Sequence, residues 1–309
     1  MTANVSNDRI LSVPYTIGIN ADSSTIAGSL VTLKNLLDRF LQAGFQAVEI
    51  PVHGVGCIVG GRLHPIRVEK VVRLLKQYPF AYTVHGPDPV NLCDPKAPET
   101  HCQALQATID FAKAIEASIV VYHGSYIPKA KVSKFQAGLE KNLWKTEIDR
   151  FMTLGDYAEK RGVVIAVENI FRQNGEESYR IDPRRLREVV EKVQSKGVGI
   201  CFDFGHAYLS ANEEGFDYLE AVQAVLPYLV HVHIHDNFGI PAKQEVRHLD
   251  ALVLGIGDLH LPPGWGSVPY KEVRETVLAG YKGVRMLEIH PSLEEFYEDG
   301  LEWVKRGGI

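Results

Sequence analysis

The chain is poor in cysteine, and that scarcity removes whole classes of architecture. Its four cysteines, Cys57, Cys93, Cys102 and Cys201, form no CxxC pair and are scattered through 309 residues. That spacing argues against a disulfide framework or a thiolate zinc site and leaves reduced, mostly buried thiols as the expectation. Cationic excess is missing too. The 33 Lys and Arg stand against 38 Asp and Glu, a formal charge of −5, and this balance weighs against a polyanion as the main partner. The first thirty residues hold neither a long apolar run nor a basic leader, so a cytoplasmic protein with no membrane partner is expected. No composition shift or low-complexity linker divides the chain, and residues 1–309 are expected to form a single domain.

What the sequence does have is alternation. Short β-branched and aromatic runs recur, each followed by a longer segment with apolar residues at three- and four-residue steps, the signature of βαβ units and a parallel sheet. The runs predict strands at Pro14–Ile19, Ala47–Pro51, Ala81–His85, Ile119–His123, Val163–Glu168, Val198–Asp203, Leu229–His233 and Val284–Glu288. Helices are predicted at Leu30–Ala43, Pro65–Tyr78, Thr100–Ala117, Lys134–Arg161, Pro183–Gln194, Phe216–Val225 and Tyr270–Ala279. Eight such strands close a barrel, so the predicted fold is α/β, a (β/α)8 TIM barrel, and the length suits the roughly 250 residues such a barrel needs plus loops. Two connections are long, the Gly-rich Val52–His64 and Asn237–Ser267. In a barrel, long loops at the strand exits are usually active-site loops.

The strand ends carry the chemistry. The third ends in His85-Gly86-Pro87, the fourth in His123-Gly124-Ser125, the fifth in Glu168-Asn169, the sixth in Asp203-Phe204-Gly205-His206 and the seventh in His231-Val232-His233-Ile234-His235-Asp236. The following loop holds Asp258-Leu259-His260, and the eighth strand ends in Glu288-Ile289-His290. An isolated His or Glu at a strand end is ordinarily a hydrogen-bonded rim residue. Six successive strand ends, with the loop before the last of them, under one rule point instead to a shared site, because barrel closure aims these side chains at one axis. Converging carboxylates repel unless a cation or protons hold them, and mixed imidazole and carboxylate donors suit zinc or manganese. Other histidines read differently. His231 shares the inward parity of His233 but lies deeper, as an internal-layer residue bonded to a neighbour; His53, His64, His101, His248 and His290 read as loop or surface residues. His235, just past the seventh strand, is a candidate for contact with substrate or for an orienting role.

In this order and on these strands, Glu168-Asn169, Asp203-x-x-His206, His233-x-x-Asp236, Asp258-x-His260 with Pro263-Gly264-Trp265-Gly266, and Leu287-Glu288 resemble the xylose isomerase-like barrels. That superfamily includes sugar and sugar-phosphate isomerases and epimerases and the bacterial abasic-site endonucleases. In the isomerase branch the resemblance implies one catalytic metal held by Glu168, Asp203, His233 and Glu288, with Glu168 and Glu288 as acid and base moving a proton through a cis-enediolate. In the endonuclease branch it implies three zinc ions: His85, His123 and Glu168 for one, Glu168, Asp203, His233 and Glu288 for a second, and His206, Asp258 and His260 for a third. All nine residues are present. The divalent cofactor is therefore manganese or zinc, one to three ions, and the resemblance, whose members often pair, leaves a homo-oligomer open.

Two departures disfavour nucleic acid. The endonucleases carry a duplex-invading Tyr where this chain has Asp88, three residues beyond His85, and the Val52–His64 loop has no aromatic wedge and Arg62 as its one cation. A small-molecule carbohydrate is the expected partner, with a metal-dependent sugar or sugar-phosphate isomerase or epimerase ahead of a multinuclear zinc phosphoesterase. Arg62 and Lys129 are candidates to anchor a phosphate or hydroxyl of that ligand, against a solvated surface role. Glu49 resembles the acidic residue that sugar-acting members carry on the second strand, where it orients a substrate hydroxyl or a histidine, unless it serves a structural ion pair. Trp265 is a candidate to stack on a sugar ring or to pack beneath its loop.

Overall fold

The computed structural model describes residues 15–94, 96–124, 126–128, 137–172, 176–244 and 246–309, with 127–128, 137–143, 176–177 and 278–280 described as backbone only. Pro14, Ser125, Lys129 and the start of the helix expected at Lys134 lie outside the described residues. Eight parallel strands close a barrel in chain order: β1 (Ile17–Asn20), β2 (Ala47–Pro51), β3 (Ala81–His85), β4 (Ile119–Tyr122), β5 (Val164–Glu168), β6 (Val198–Asp203), β7 (Leu229–Ile234) and β8 (Arg285–Leu287). Closure is made by β8 returning to β1, with Ile17 opposite Arg285. The flanking helices are α1 (Leu30–Ala43), α2 (Pro65–Leu75), α3 (Pro98–Ala114), α4 (Ala137–Glu159), α5 (Pro183–Val193), α6 (Phe204–Glu214), α7 (Tyr218–Val225), α8 (Tyr270–Gly280) and α9 (Tyr297–Lys305).

Local chemistry sets these elements. Ser29 caps α1 by accepting from the Thr32 N–H, and Gly44 ends it at φ 96°, a left-handed conformation that costs glycine nothing. Pro65 and Pro183 open α2 and α5, where a missing N–H is harmless. The strands are apolar nearly throughout because both faces are covered.

Alternation along each strand then divides their side chains. Val84, Val120, Ile165, Val167, Ile200, Phe202, Val232 and Ile234 face the helices and join the main core, while Val121, Ala166 and Cys201 form a small separate cluster with the opposite parity, inside the barrel. Gly18 belongs to this inner set: a Cβ there would lie 2.7 Å from Cε of Met286, so the missing side chain makes room for the methionine. One pleat further along the same inward rows stand His123, Glu168, Asp203, His233 and Glu288. On β4, β5, β6 and β8 the inner row therefore passes to an ionisable residue at the strand exit, while β7 already carries His231 one pleat earlier.

Several expected boundaries shift by one to three residues, as at β4 and β8, which stop before His123 and Glu288. Four helices among the described residues went unanticipated: α6, α9 and two short ones at Ser23–Ile26 and His248–Leu254. Helix α6 starts directly on the last residue of β6, with Asp203 as its cap, so the strand-exit motif and the first helical turn are the same residues and no separating loop signals the helix.

Candidate metal centre

The hub of the cluster beneath the mouth is His233, which is fully buried. Its Nδ1 lies 3.0 Å from Oε1 of Glu168, 3.4 Å from Oε2 of Glu288 and 3.9 Å from Oδ2 of Asp203. One donor atom from each of Glu168, Asp203, His233 and Glu288 falls within 4.8 Å of the others, all four residues buried. These are the four residues the resemblance nominates for a single catalytic metal, brought together from β5, β6, β7 and the residue after β8.

Behind them stands Glu49, fully buried on β2. One oxygen is 3.1 Å from His233 Nε2 and accepts from Asn20 Nδ2 at 3.0 Å; the other is 3.0 Å from His231 Nε2 and accepts from Thr83 Oγ1 at 2.9 Å. Glu49 thus orients the imidazole of His233 from beneath and is absent from the residues lining the cleft, which places it as a support for a histidine and not against substrate. His231 is the buried internal-layer residue expected. Asn20 also donates to Glu288 Oε1 at 2.9 Å, tying the two carboxylates together.

A second cluster lies beside the first. Donor atoms of His206, His235, Asp258 and His260 also fall within 4.8 Å of one another. Asp258 Oδ2 is 3.2 Å from His206 Nε2 and 2.7 Å from His260 Nε2. His235 is fully buried, 3.1 Å from both oxygens of Asp203, and its ring stacks on His260 at 4.0 Å. It does not line the cleft, so of its two expected roles the orienting one fits, and its place in this cluster adds a candidate ligand that the sequence did not suggest. Gly205 makes this possible: a Cβ there would lie 2.1 Å from Cε1 of His235. A third group, His123, Glu168 and His206, joins the two clusters. His85 completes the expected nine, its Nε2 3.9 Å from Glu168 Oε2.

The cleft over these groups has a volume of about 260 Å³ and is lined by seven of the nine, with Asp203 and His233 below; Asn20, Asp22, His53 and Asp88 complete its polar wall. His53, expected as a loop residue, therefore belongs to the mouth. Arg62 and Trp265 do not. Arg62 is exposed on a two-stranded hairpin, Ile58–Val59 with Arg62–Leu63, and Trp265 meets Phe296 at 4.7 Å. The loops that carry them turn on their own contacts, so proximity to the strand exits in sequence did not deliver them to the site.

The electrostatics suit a cation. Oε2 of Glu168, Oδ1 of Asp258 and Nδ1 of His235 are buried without a hydrogen-bond partner among the described residues, and each such group costs about 1–3 kcal/mol if nothing satisfies it. Burial alone raises the carboxyl of Glu168, but the charge and hydrogen bond of His233, with His123 and His206, hold it well below the usual range. For Glu288 burial prevails over His233 and His260 and leaves it raised. Burial pushes His123 down to about 4. His260 is also lowered by burial, yet Asp258 more than compensates and lifts it to about 9. Unpaired carboxylate oxygens facing imidazoles that gain protons for want of another positive charge are the donor set a divalent ion fits.

Three further residues position the site without touching the cleft's centre. Asn169 clamps Asp203, accepting from its N–H and donating to its carbonyl, both at 2.9 Å, while Asp203 Oδ1 accepts from the His206 N–H at 2.6 Å. Asp236 accepts from the N–H groups of Asn237, Gly264 and Val268 at 2.9–3.0 Å and so holds the Pro262–Ser267 turn. Buried Arg180 donates to the carbonyls of Glu168 at 2.9 Å, Tyr122 at 3.2 Å and His123 at 2.8 Å, fixing the exits of β4 and β5. Asn169 and Asp236 lie inside motifs already visible in the sequence; Arg180 sits in a 3-10 turn with no local signal.

Comparison with known proteins agrees with the barrel fold. The family described as xylose isomerase-like TIM barrel matches residues 37–307. An uncharacterized protein of Methanocaldococcus jannaschii is 27% identical over 265 residues, covering 83% of this chain and 79% of its own length. A D-tagatose 3-epimerase-like protein of known structure aligns with a TM-score of 0.69 at 24% identity, over 94% of this chain and 98% of its own. The 3-keto-D-glucoside 4-epimerase of E. coli gives 0.68 at 18%, over 94% and 99%. At such identities these two establish a shared fold.

Proposed function

The chain belongs to the xylose isomerase-like TIM barrel family, and from that premise we propose that it is a metal-dependent isomerase or epimerase of a sugar, sugar phosphate or related polyol derivative. The observation that carries the reading is the approach of two carboxylates, Glu168 and Glu288, to the same nitrogen of His233 at 3.0 and 3.4 Å. Sugar epimerases among the proteins of like fold support it. A divalent cation, manganese or zinc, held by Glu168, Asp203, His233 and Glu288 would supply Lewis acidity that eases loss of the proton on a carbon beside a carbonyl.

The chain's own groups do the rest. Glu168 and Glu288 come from different walls of the barrel, so a sugar lying in the cleft between them meets one carboxylate on each side. One takes the carbon-bound proton, the C–H electron pair enters an enediolate, and the other, as the acid, returns a proton to carbon. Glu49 and Asn20 hold His233 and Glu288 in place beneath. A cytoplasmic setting belongs to the same reading and agrees with four unbridged cysteines.

Solvent deuterium is the test. Purified protein incubated with ketoses and aldoses in heavy water is expected to place deuterium on a sugar carbon and to lose that capacity on chelation; no incorporation into any of them would remove the proposed chemistry. The separate cluster of His206, His235, Asp258 and His260 favours a second reading, a multinuclear zinc phosphoesterase. Close to three zinc atoms per chain by elemental analysis, with cleavage of an abasic duplex at ordinary salt, would support it. One manganese per chain would support the isomerase. Asp88 on the cleft wall and Arg62 outside it speak against a duplex as substrate.

A further inference from the structure

Beside the metal cleft, between α6 and the long loop after β7, lies a second cavity of about 500 Å³. Phe171 and Asp258 border both spaces, so the two adjoin. Phe171 stands at the threshold, its ring 5.0 Å from that of His206.

The walls define what fits. Leu209, Val246, Ala251 and Ile256 give them an apolar side, while Gln244 and Glu213 are polar groups of the wall and His248, whose Nε2 is 3.0 Å from the Leu259 carbonyl, adds the face of its ring. Arg172, the one cation of the wall among the described residues, is already committed at 2.6 Å to Glu214 and 3.9 Å to Glu213. With that charge neutralised and the Asp258 carboxylate at the border, the space repels a phosphate. A neutral ring with apolar C–H faces and a hydroxyl edge matches it, because such walls bury the faces while a few polar groups fix orientation. Phe171 offers an aromatic face where one ring would give way to the next.

We propose that this cavity is the subsite for a second sugar ring, joined by a glycosidic bond to the sugar that reacts at the metal centre, so that the substrate is an unphosphorylated glycoside. The inference rests on the isomerase or epimerase reading of that centre and names its substrate class.

The test follows solvent-deuterium incorporation, with manganese-loaded full-length protein, into a ketohexose, its terminal phosphate ester, and the same ketohexose bearing a second pyranose ring on each non-reacting hydroxyl in turn. At least one disaccharide is expected to exceed both others in kcat/KM by about tenfold or more, the discrimination an apolar subsite provides. Val246→Trp, which fills the cavity, should bring that ratio close to one, and the milder Gln244→Ala should lower it through KM. A phosphate ester turned over as well as or better than every disaccharide, or a preference that Val246→Trp leaves unmoved in protein with an unchanged circular dichroism spectrum, overturns the subsite. Absence of exchange with any sugar defeats the reaction reading instead. The cavity is then judged by calorimetric titration of the disaccharides: binding that Val246→Trp weakens about tenfold supports it, and no binding at millimolar concentration overturns it.

Discussion

The two ligand clusters in the mouth of the barrel are built from different material. Glu168, Asp203 and His233 belong to strands, with Glu288 one residue past β8, and all four are buried. In the neighbouring cluster His206 comes from the first turn of α6, His235 from the residue after β7, and Asp258 and His260 from the long loop, the last two partly exposed. The inner cluster is fixed by the barrel ladder and by Glu49 beneath it. The outer one depends on how a loop is tethered, chiefly through Asp236. Geometry imposed by a ladder is dear to distort, whereas geometry imposed by a tethered loop can be lost locally. The inner cluster therefore suits chemistry that needs fixed donors, whereas the outer one is the candidate site whose geometry a change in the loop would alter.

Glu168 is common to the inner cluster and to the bridging group with His123 and His206, so its replacement tests both at once. Glu168→Gln is expected to lower solvent-proton exchange by about 10²–10⁴ with the fold intact by circular dichroism; retained turnover would take Glu168 out of the mechanism. Glu49→Gln separates the clusters. It should weaken metal binding at the inner site by about 10–100-fold, read by chelator competition, and leave the outer site alone. Equal weakening of both would show that the clusters are not independently supported.

Asp236→Ala probes the opposite side of the comparison. Three backbone N–H groups of the loop lose their acceptor, a cost of about 1–3 kcal/mol, expected as a lowered melting temperature and reduced metal content at the outer cluster with the inner one still filled. Loss of both metals together would mean that the loop supports the inner centre as well. The smallest effect is on pH. With its titration midpoint raised to about 9 by Asp258 against the lowering by burial, metal-free His260 carries a proton at neutral pH, and a cation must expel it. Affinity at the outer cluster should rise with pH, by at most about tenfold per unit for each proton released, and level off above 9. Calorimetry in buffers of differing ionisation enthalpy counts those protons; a flat profile, or a slope unchanged in His260→Ala, would contradict the assignment.

How much of this was legible beforehand follows from the same contrast. Runs such as Val163–Glu168 and Val198–Asp203 announced both a buried parallel strand and the ionisable residue at its end, because a short apolar run and an apolar-to-charged switch are local properties of a sequence. The loop and helix positions were harder. Helix α6 was missed because its cap is also a ligand candidate, and the signals that mark a helix start were spent on Asp203 and His206. Arg62 and Trp265 looked suitable by residue type and loop position, yet the hairpin and the contact with Phe296 carry them outside the cleft.

By itself, then, the sequence determined the eightfold alternation and the strand exits, which depend on residues a few positions apart, and the family resemblance of the motifs on those exits singled out the nine His, Asp and Glu candidates. Tertiary structure alone decided that Glu49 supports His233 across 184 positions of chain, that Arg180 braces two strand exits, and that a second cavity adjoins the cleft at Phe171 and Asp258. Those relations arise from barrel closure and loop packing, which bring distant segments within hydrogen-bond reach by burying apolar surface elsewhere in the molecule, and no local pattern encodes where such segments will meet.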